Sequence, residues 1–257
     1  MNPSDAEHYQ ALLAALAPVD GWVARISATA NRPRPQAGSP MDADDKRVAP
    51  YHISHACWHS LSHAVDHLAC LSALLRVAGM VNMYAPYTLV RGAHENACSA
   101  VWMLQPARRT ERLARRLRFG VNDINHGEEA AHLTRQEGPK TKAERITQVR
   151  QIAAQCGVAE DLAVKTASYK EIVNAAGDGH DWNLLAWKLC SGIAHGDLWA
   201  TKAAMEMAPI PSHAAPDVGT FAVSANIRLL IMMAAVAVKM TERGWQLFDA
   251  RSRSPRI

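Results

Sequence analysis

A chain of 257 residues with 49% apolar content can bury a sizeable core, as one large helical domain or two small ones. Its net charge of +4 is mildly basic, which excludes a protein that coats nucleic acid by charge alone but permits an acidic partner. The five cysteines (Cys57, Cys70, Cys98, Cys156, Cys190) are odd in number and lack CxxC spacing, which fits reduced thiols in a cytoplasm rather than a disulfide framework.

The first ten residues, MNPSDAEHYQ, show no basic region followed by an apolar run, so no secretory signal is expected. Residues 1–28 read as an N-terminal helical segment with Leu12, Leu13 and Leu16 on one side. Residues 29–49 concentrate Pro, Gly, Ser and charge and read as a flexible linker. Pro50 suits the first turn of the next helix, where a missing N–H costs nothing. The main domain is expected over 50–250, with a basic tail at 251–257.

The stretch from His52 to Leu75 carries His52, His55, His59, His63 and His67, which fall within roughly a 120° arc of one helix face. Trp58, Leu61, Val65, Leu68 and Leu75 lie opposite. Between Arg47 and Arg76 there is no Lys, Arg or Glu, and Asp66 is the only formal charge. Solvated helix faces normally use long charged side chains, so this one is expected to face other protein or a cleft.

A second helix runs from about Pro86 to Gln105 and mixes small residues (Gly92, Ala93, Ala97, Ser99) with Arg91, His94 and Glu95. Arg91 and Glu95, four apart, can pair along the helix, and in so apolar a setting the pair needs further partners. A third helix, about 109–134, opens on a crowd of arginines (Arg108, Arg109, Arg112, Arg115, Arg116, Arg118) against Glu111 alone, which opposes the helix dipole. Helices follow at about 141–155 and 159–175 and from Asp181 through DWNLLAWKLCSGIAH. The last, about 218–248, reads as apolar nearly all round. Its longest apolar run, Leu229 to Val238, is about half of a bilayer span, so no membrane association is expected. No period-two alternation or hairpin dipeptide stands out. The expected fold is all-α: a multi-helix bundle with a long apolar C-terminal helix, in a soluble cytoplasmic protein.

Three constellations carry chemistry. His59, His63 and His67 repeat a two-on-one-face spacing that suits a metal ion, with Glu95 as the added carboxylate. One ion cannot take all three histidines, because His59 and His67 stand about 12 Å apart along the axis. Arg91, Glu95 and His195, polar groups in apolar helices, can polarise a phosphate or carbonyl and shuttle a proton if they converge. The bland alternative is a buried polar network that sets helix register. Arg112, Arg115 and Arg116 can contact phosphates, although no aromatic residues interleave with them. No phosphate-binding Gly loop or GxSxG elbow is present, and no cofactor is identified.

The segments LVRGAHENACSAVWMLQPARRTERLARRL and WKLCSGIAHGDLW together resemble uncharacterised all-helical bacterial proteins. Those are distantly similar to the HEPN superfamily of helical bundles, many of them ribonucleases or toxin-type proteins. The resemblance covers roughly residues 55–205 in layout. It implies a protein that binds or cleaves RNA, usually as a homodimer, through an Arg-x(4–6)-His motif. His195 occupies the histidine's place, and the arginine's place offers Lys188, Leu189 or Cys190. On this reading His195 is the acid–base group and Arg91 the anion holder. The competing readings are a metal-binding bundle and a non-catalytic interaction protein.

Overall fold

The computed structural model describes residues 3–28, 34–79, 81–135, 138–211 and 219–254. Its elements, in order, are α1 (Pro3–Ala15), α2 (Pro18–Ser27), α3 (Pro40–Val48), α4 (Ile53–Ala78), α5 (Ala85–Leu104), α6 (Arg109–Thr134) and α7 (Lys142–Gln155). There follow α8 (Glu160–Ala163), α9 (Tyr169–Ala176), α10 (Asp181–His195), α11 (Leu198–Ala204), β1 (Met205–Pro209), β2 (Phe221–Ala225) and α12 (Ile227–Ser252). The fold is an all-α bundle whose described residues contain a single antiparallel strand pair, β1 with β2, in a register that sets Met207 opposite Val223.

The chain divides into two compact units that interleave along the sequence. The first unit takes residues 1–30, 62–97 and 180–242, and the second takes 31–61, 98–179 and 243–257. Within the first, a core gathers Leu12 of α1 and Leu16 just after it, Leu68, Leu71 and Leu75 of α4, Tyr87 and Val90 of α5, Leu189 and Ile193 of α10, and Leu230 and Met233 of α12. Tyr9 Oη donates to the Leu75 carbonyl, and Tyr87 Oη donates to that of Asn226, 3.2 Å away. In the second unit, α6 packs on α3, α7 and α8, with Leu113, Leu117, Val121 and Ile124 buried. Trp58, Trp245 and Phe248 form a three-ring cluster there, with centroids 5.3–5.9 Å apart.

Several elements depart from the sequence reading. The expected linker contains α3: Ser39 accepts from the Asp42 N–H at 3.2 Å, Pro40 occupies the first turn, and Met41, Asp44 and Val48 are buried. A Ser-Pro start is a strong helix signal that the surrounding Pro, Gly and charge obscured. Residues 29–33 of that stretch lie outside the described residues. Helix α4 starts at Ile53, three residues beyond Pro50, and Asp45 holds its first turn by accepting from both the N–H and the hydroxyl of Ser54. His52 therefore precedes the helix. The stretch 159–175 splits into α8 and α9, the second capped by Ser168. Helix α12 is long but not apolar all round: Arg228, Met232, Lys239 and Glu242 are exposed, so its apolar residues form a stripe. The beginning of the expected helix is β2, and residues 212–218 lie outside the described residues. No helix among the described residues is long and apolar enough to cross a membrane.

Candidate functional site

In the first unit, α5 and α10 bring together the three residues expected to do acid–base work. Arg91 and Glu95 face the same way because four residues make about one turn of α5. Arg91 Nε donates to Glu95 Oε1 at 2.9 Å. Arg91 Nη1 lies 3.3 Å from His195 Nε2 across 104 residues of sequence. A guanidinium has no acceptor, so this contact uses the Nε2 lone pair and leaves the imidazole proton on Nδ1. Trp187 Nε1 donates to Glu95 Oε1 at 2.7 Å, giving the carboxylate a second donor. The pair is part-buried, with 25% of the Arg91 side chain and 12% of the Glu95 side chain exposed, while His195 is exposed.

His195 reaches that position because α10 ends there. Gly196 adopts the left-handed conformation at φ +77°, its N–H returning to the Gly192 and Ile193 carbonyls, and the Asp197 N–H bonds the Gly192 carbonyl at 2.8 Å. A glycine at this cap is favoured because a Cβ is strained at positive φ. Asp197 then leads into α11, and Trp199 lies so close to Gly192 that a Cβ there would stand 2.9 Å from its ring.

A second polar pair lies deeper in the same unit. His94 Nε2 is 2.6 Å from Asn183 Oδ1, an acceptor, so Nε2 carries the proton. Burial of His94 pushes its pKa down, and the Asn183 bond opposes that only in part. Cys190 is also buried, which pushes its thiol up to about 12. Burial likewise pushes the Cys57 thiol well above its ordinary range. Neither is a thiolate at neutral pH, so neither serves as a nucleophile in this state.

The histidine stripe is placed differently from its expectation. His55, His59 and His63 are exposed, so α4 does not turn that face into other protein. His67 is half-buried against α5: a Cβ on Gly92 would fall 2.6 Å from His67 Nε2, and that ring is why α5 has glycine there. Among the described residues no group of three or more His, Cys, Asp or Glu side chains is placed to hold a metal ion. His59, His63, His67 and Glu95 are therefore not assembled as a metal centre in this structure.

The arginines at the start of α6 have partners that the sequence concealed. Arg112 and Asp44 form a two-point pair, Nε to Oδ2 at 2.7 Å and Nη2 to Oδ1 at 3.1 Å, with only 3% and 2% of the two side chains exposed. Arg112 Nη1 also donates to the Pro106 and Ala107 carbonyls. Arg116 is buried over the Tyr51 ring with Nε donating to the His52 carbonyl at 3.1 Å. Two of the three arginines expected to meet nucleic acid are thus internal. Arg115 remains partly accessible, bonded to the Trp102 carbonyl and to Glu111.

Sequence reasoning missed Trp187, Asn183 and Asp44, because each acts through a partner 68–92 residues away that no local spacing reveals. The one available signal was their company: buried charges require partners, and α5 and α6 hold more of them than their own helices can satisfy. No family model, curated protein or solved structure matches the chain.

Proposed function

We propose that this is a HEPN-like helical protein that binds RNA and cleaves its backbone, with Arg91, Glu95 and His195 as its polar site. The supporting observation is the approach of Arg91 Nη1 to within 3.3 Å of His195 Nε2. The Arg-x(4–6)-His pattern lacks its arginine on α10, and α5 supplies a guanidinium to the same histidine. Glu95, held by the Trp187 N–H, fixes Arg91 through Nε, which leaves Nη2, and Nη1 once His195 turns to substrate, to face an anion.

In this reading a phosphodiester docks on Arg91, whose forked donors suit phosphate oxygens. His195 Nε2 exchanges its contact with Arg91 for the ribose 2′-hydroxyl and removes that proton. The 2′-oxygen attacks phosphorus, the P–O5′ bond breaks, and a 2′,3′-cyclic phosphate forms. The leaving 5′-oxygen takes its proton from water or from His195 of a second copy in a homodimer.

The test is a cleavage and binding assay on a labelled single-stranded RNA with wild type, His195→Ala and Arg91→Ala. Wild type is expected to cut, His195→Ala to bind RNA without cutting, and Arg91→Ala to lose affinity by roughly tenfold or more. A wild-type protein that neither binds nor cuts RNA at micromolar concentration would overturn the proposal. A second reading, a non-catalytic interaction protein, draws on exposed apolar side chains of α10 and α11: 61% of Trp182 and 52% of Trp199 are exposed. It predicts RNA-independent binding that His195→Ala leaves intact.

A further inference from the structure

The second unit contains a pocket of about 500 Å³, within the range of small-ligand sites, that the RNA reading does not use. Its lining combines the cationic Arg108, Arg115 and Arg118 with the apolar Val158, Ala159 and Leu162. Trp102 forms the floor under the arginines, with the guanidinium carbons of Arg115 and Arg118 at 5.4 and 5.5 Å from its ring centroid. Two carboxylates also line it: Glu111 pairs with Arg115 at 2.6 Å and Glu171 with Arg118 at 2.7 Å. Three arginines against two glutamates leave one positive charge over. The uncommitted one is Arg108, whose side chain makes no hydrogen bond or ion pair among the described residues.

The crowd of arginines at the start of α6 is unfavourable to its own helix, and most of it now has a cause. Arg109 and Arg112 meet Asp44, and Arg116 meets Tyr51 and the His52 carbonyl. Arg108, Arg115 and Arg118 bring charge to an accessible cavity, and of these Arg118 is tied to Glu171. Burial already depresses the pKa of Arg115 despite Glu111 beside it, so an added anion would relieve an under-compensated cation.

We propose that this pocket binds a small organic anion, with its phosphate or carboxylate head on Arg108 and Arg115 and an apolar body against Val158, Ala159 and Leu162. The volume exceeds what an inorganic ion fills, and half of the wall offers such an ion nothing. Arg118 is committed to Glu171 and to the Lys165 and Thr166 carbonyls and serves to hold the wall.

Isothermal titration of the full chain with phenyl phosphate, benzoate, inorganic phosphate and phenol tests this. At least one of the first two is expected to bind saturably with a low-millimolar Kd or tighter, and whichever binds better identifies the oxyanion. Phenol and inorganic phosphate, each lacking one half of the ligand, are expected to bind at least roughly tenfold more weakly. Arg108→Ala should weaken binding by about tenfold, as loss of one charge-assisted bond does. Leu162→Asp, at an exposed position, should weaken it as strongly while leaving the melting temperature unchanged. The proposal is overturned if neither organic anion binds, if inorganic phosphate binds as tightly as phenyl phosphate, or if Arg108→Ala leaves binding unaltered.

Discussion

Replacing Asp44 with alanine tests how the second unit tolerates its buried charge. The carboxylate accepts two bonds from Arg112 and a third from Arg109 Nε at 3.0 Å. Arg109 is partly exposed and can turn to water, so its loss is small. Arg112 cannot: its guanidinium is fully enclosed and would retain only the Pro106 and Ala107 carbonyls. Breaking a buried pair by removing one partner costs about 3–5 kcal/mol, because the other charge remains desolvated. For a chain of this size each kcal/mol moves the melting temperature by about 2–4 °C, so Asp44→Ala should melt roughly 6–20 °C lower. The assay is thermal denaturation followed by circular dichroism, with Arg112→Met and Asp44→Leu/Arg112→Met in parallel. The double variant should recover most of the loss, since it leaves no uncompensated charge. A single variant melting within about 2 °C of wild type would refute the argument, because an unpaired buried guanidinium cannot be that cheap.

Three further outcomes follow from the geometry. Gly92→Ala pushes a methyl group into the His67 ring and should cost about 1–3 kcal/mol, measured by urea denaturation, with His67→Ala restoring much of it; equal loss in both backgrounds would show that the ring is not the obstacle. His94 has a folded-state pKa below its ordinary 6.5, so on acidification the unfolded chain takes the proton first. Its contribution to stability is therefore complete above about pH 6.5 and is lost as pH falls below that value, and His94→Gln should flatten the dependence of urea midpoints between about pH 7.5 and 5.5; parallel slopes would contradict this. Iodoacetamide treatment of the native protein, read by peptide mass spectrometry, should label exposed Cys70 and leave buried Cys57, Cys98 and Cys190 unmodified until denaturant is added. Rapid native labelling of Cys190 would show that α10 opens more readily than its packing allows.

What is local was legible in the order of residues. Apolar spacing of three and four is enough to place α4, α5, α6, α7 and α10, because helix formation depends on side chains within one turn. Helices α4 and α10 end beside Gly79 and Gly196, where the chain adopts positive φ, a conformation that glycine takes without a Cβ penalty. The same locality explains the failures. The helix α3 was hidden because a short helix among Pro, Gly and charged residues is held by what it packs on, here α6 and α7, and the strand pair was hidden because each strand has only five residues, too few for a period of two to stand out. The tertiary structure alone decided which charged residues are internal. Arg112 and Arg115 lie three apart on one helix with the same side chain, yet one is enclosed with Asp44 and the other lines a pocket. Sequence marked Arg91, Glu95 and His195 as unusual in apolar helices, but their approach depends on α5 meeting α10, with 104 residues between Arg91 and His195. Pairing of that kind is set by how helix faces pack, which no spacing within a single helix encodes.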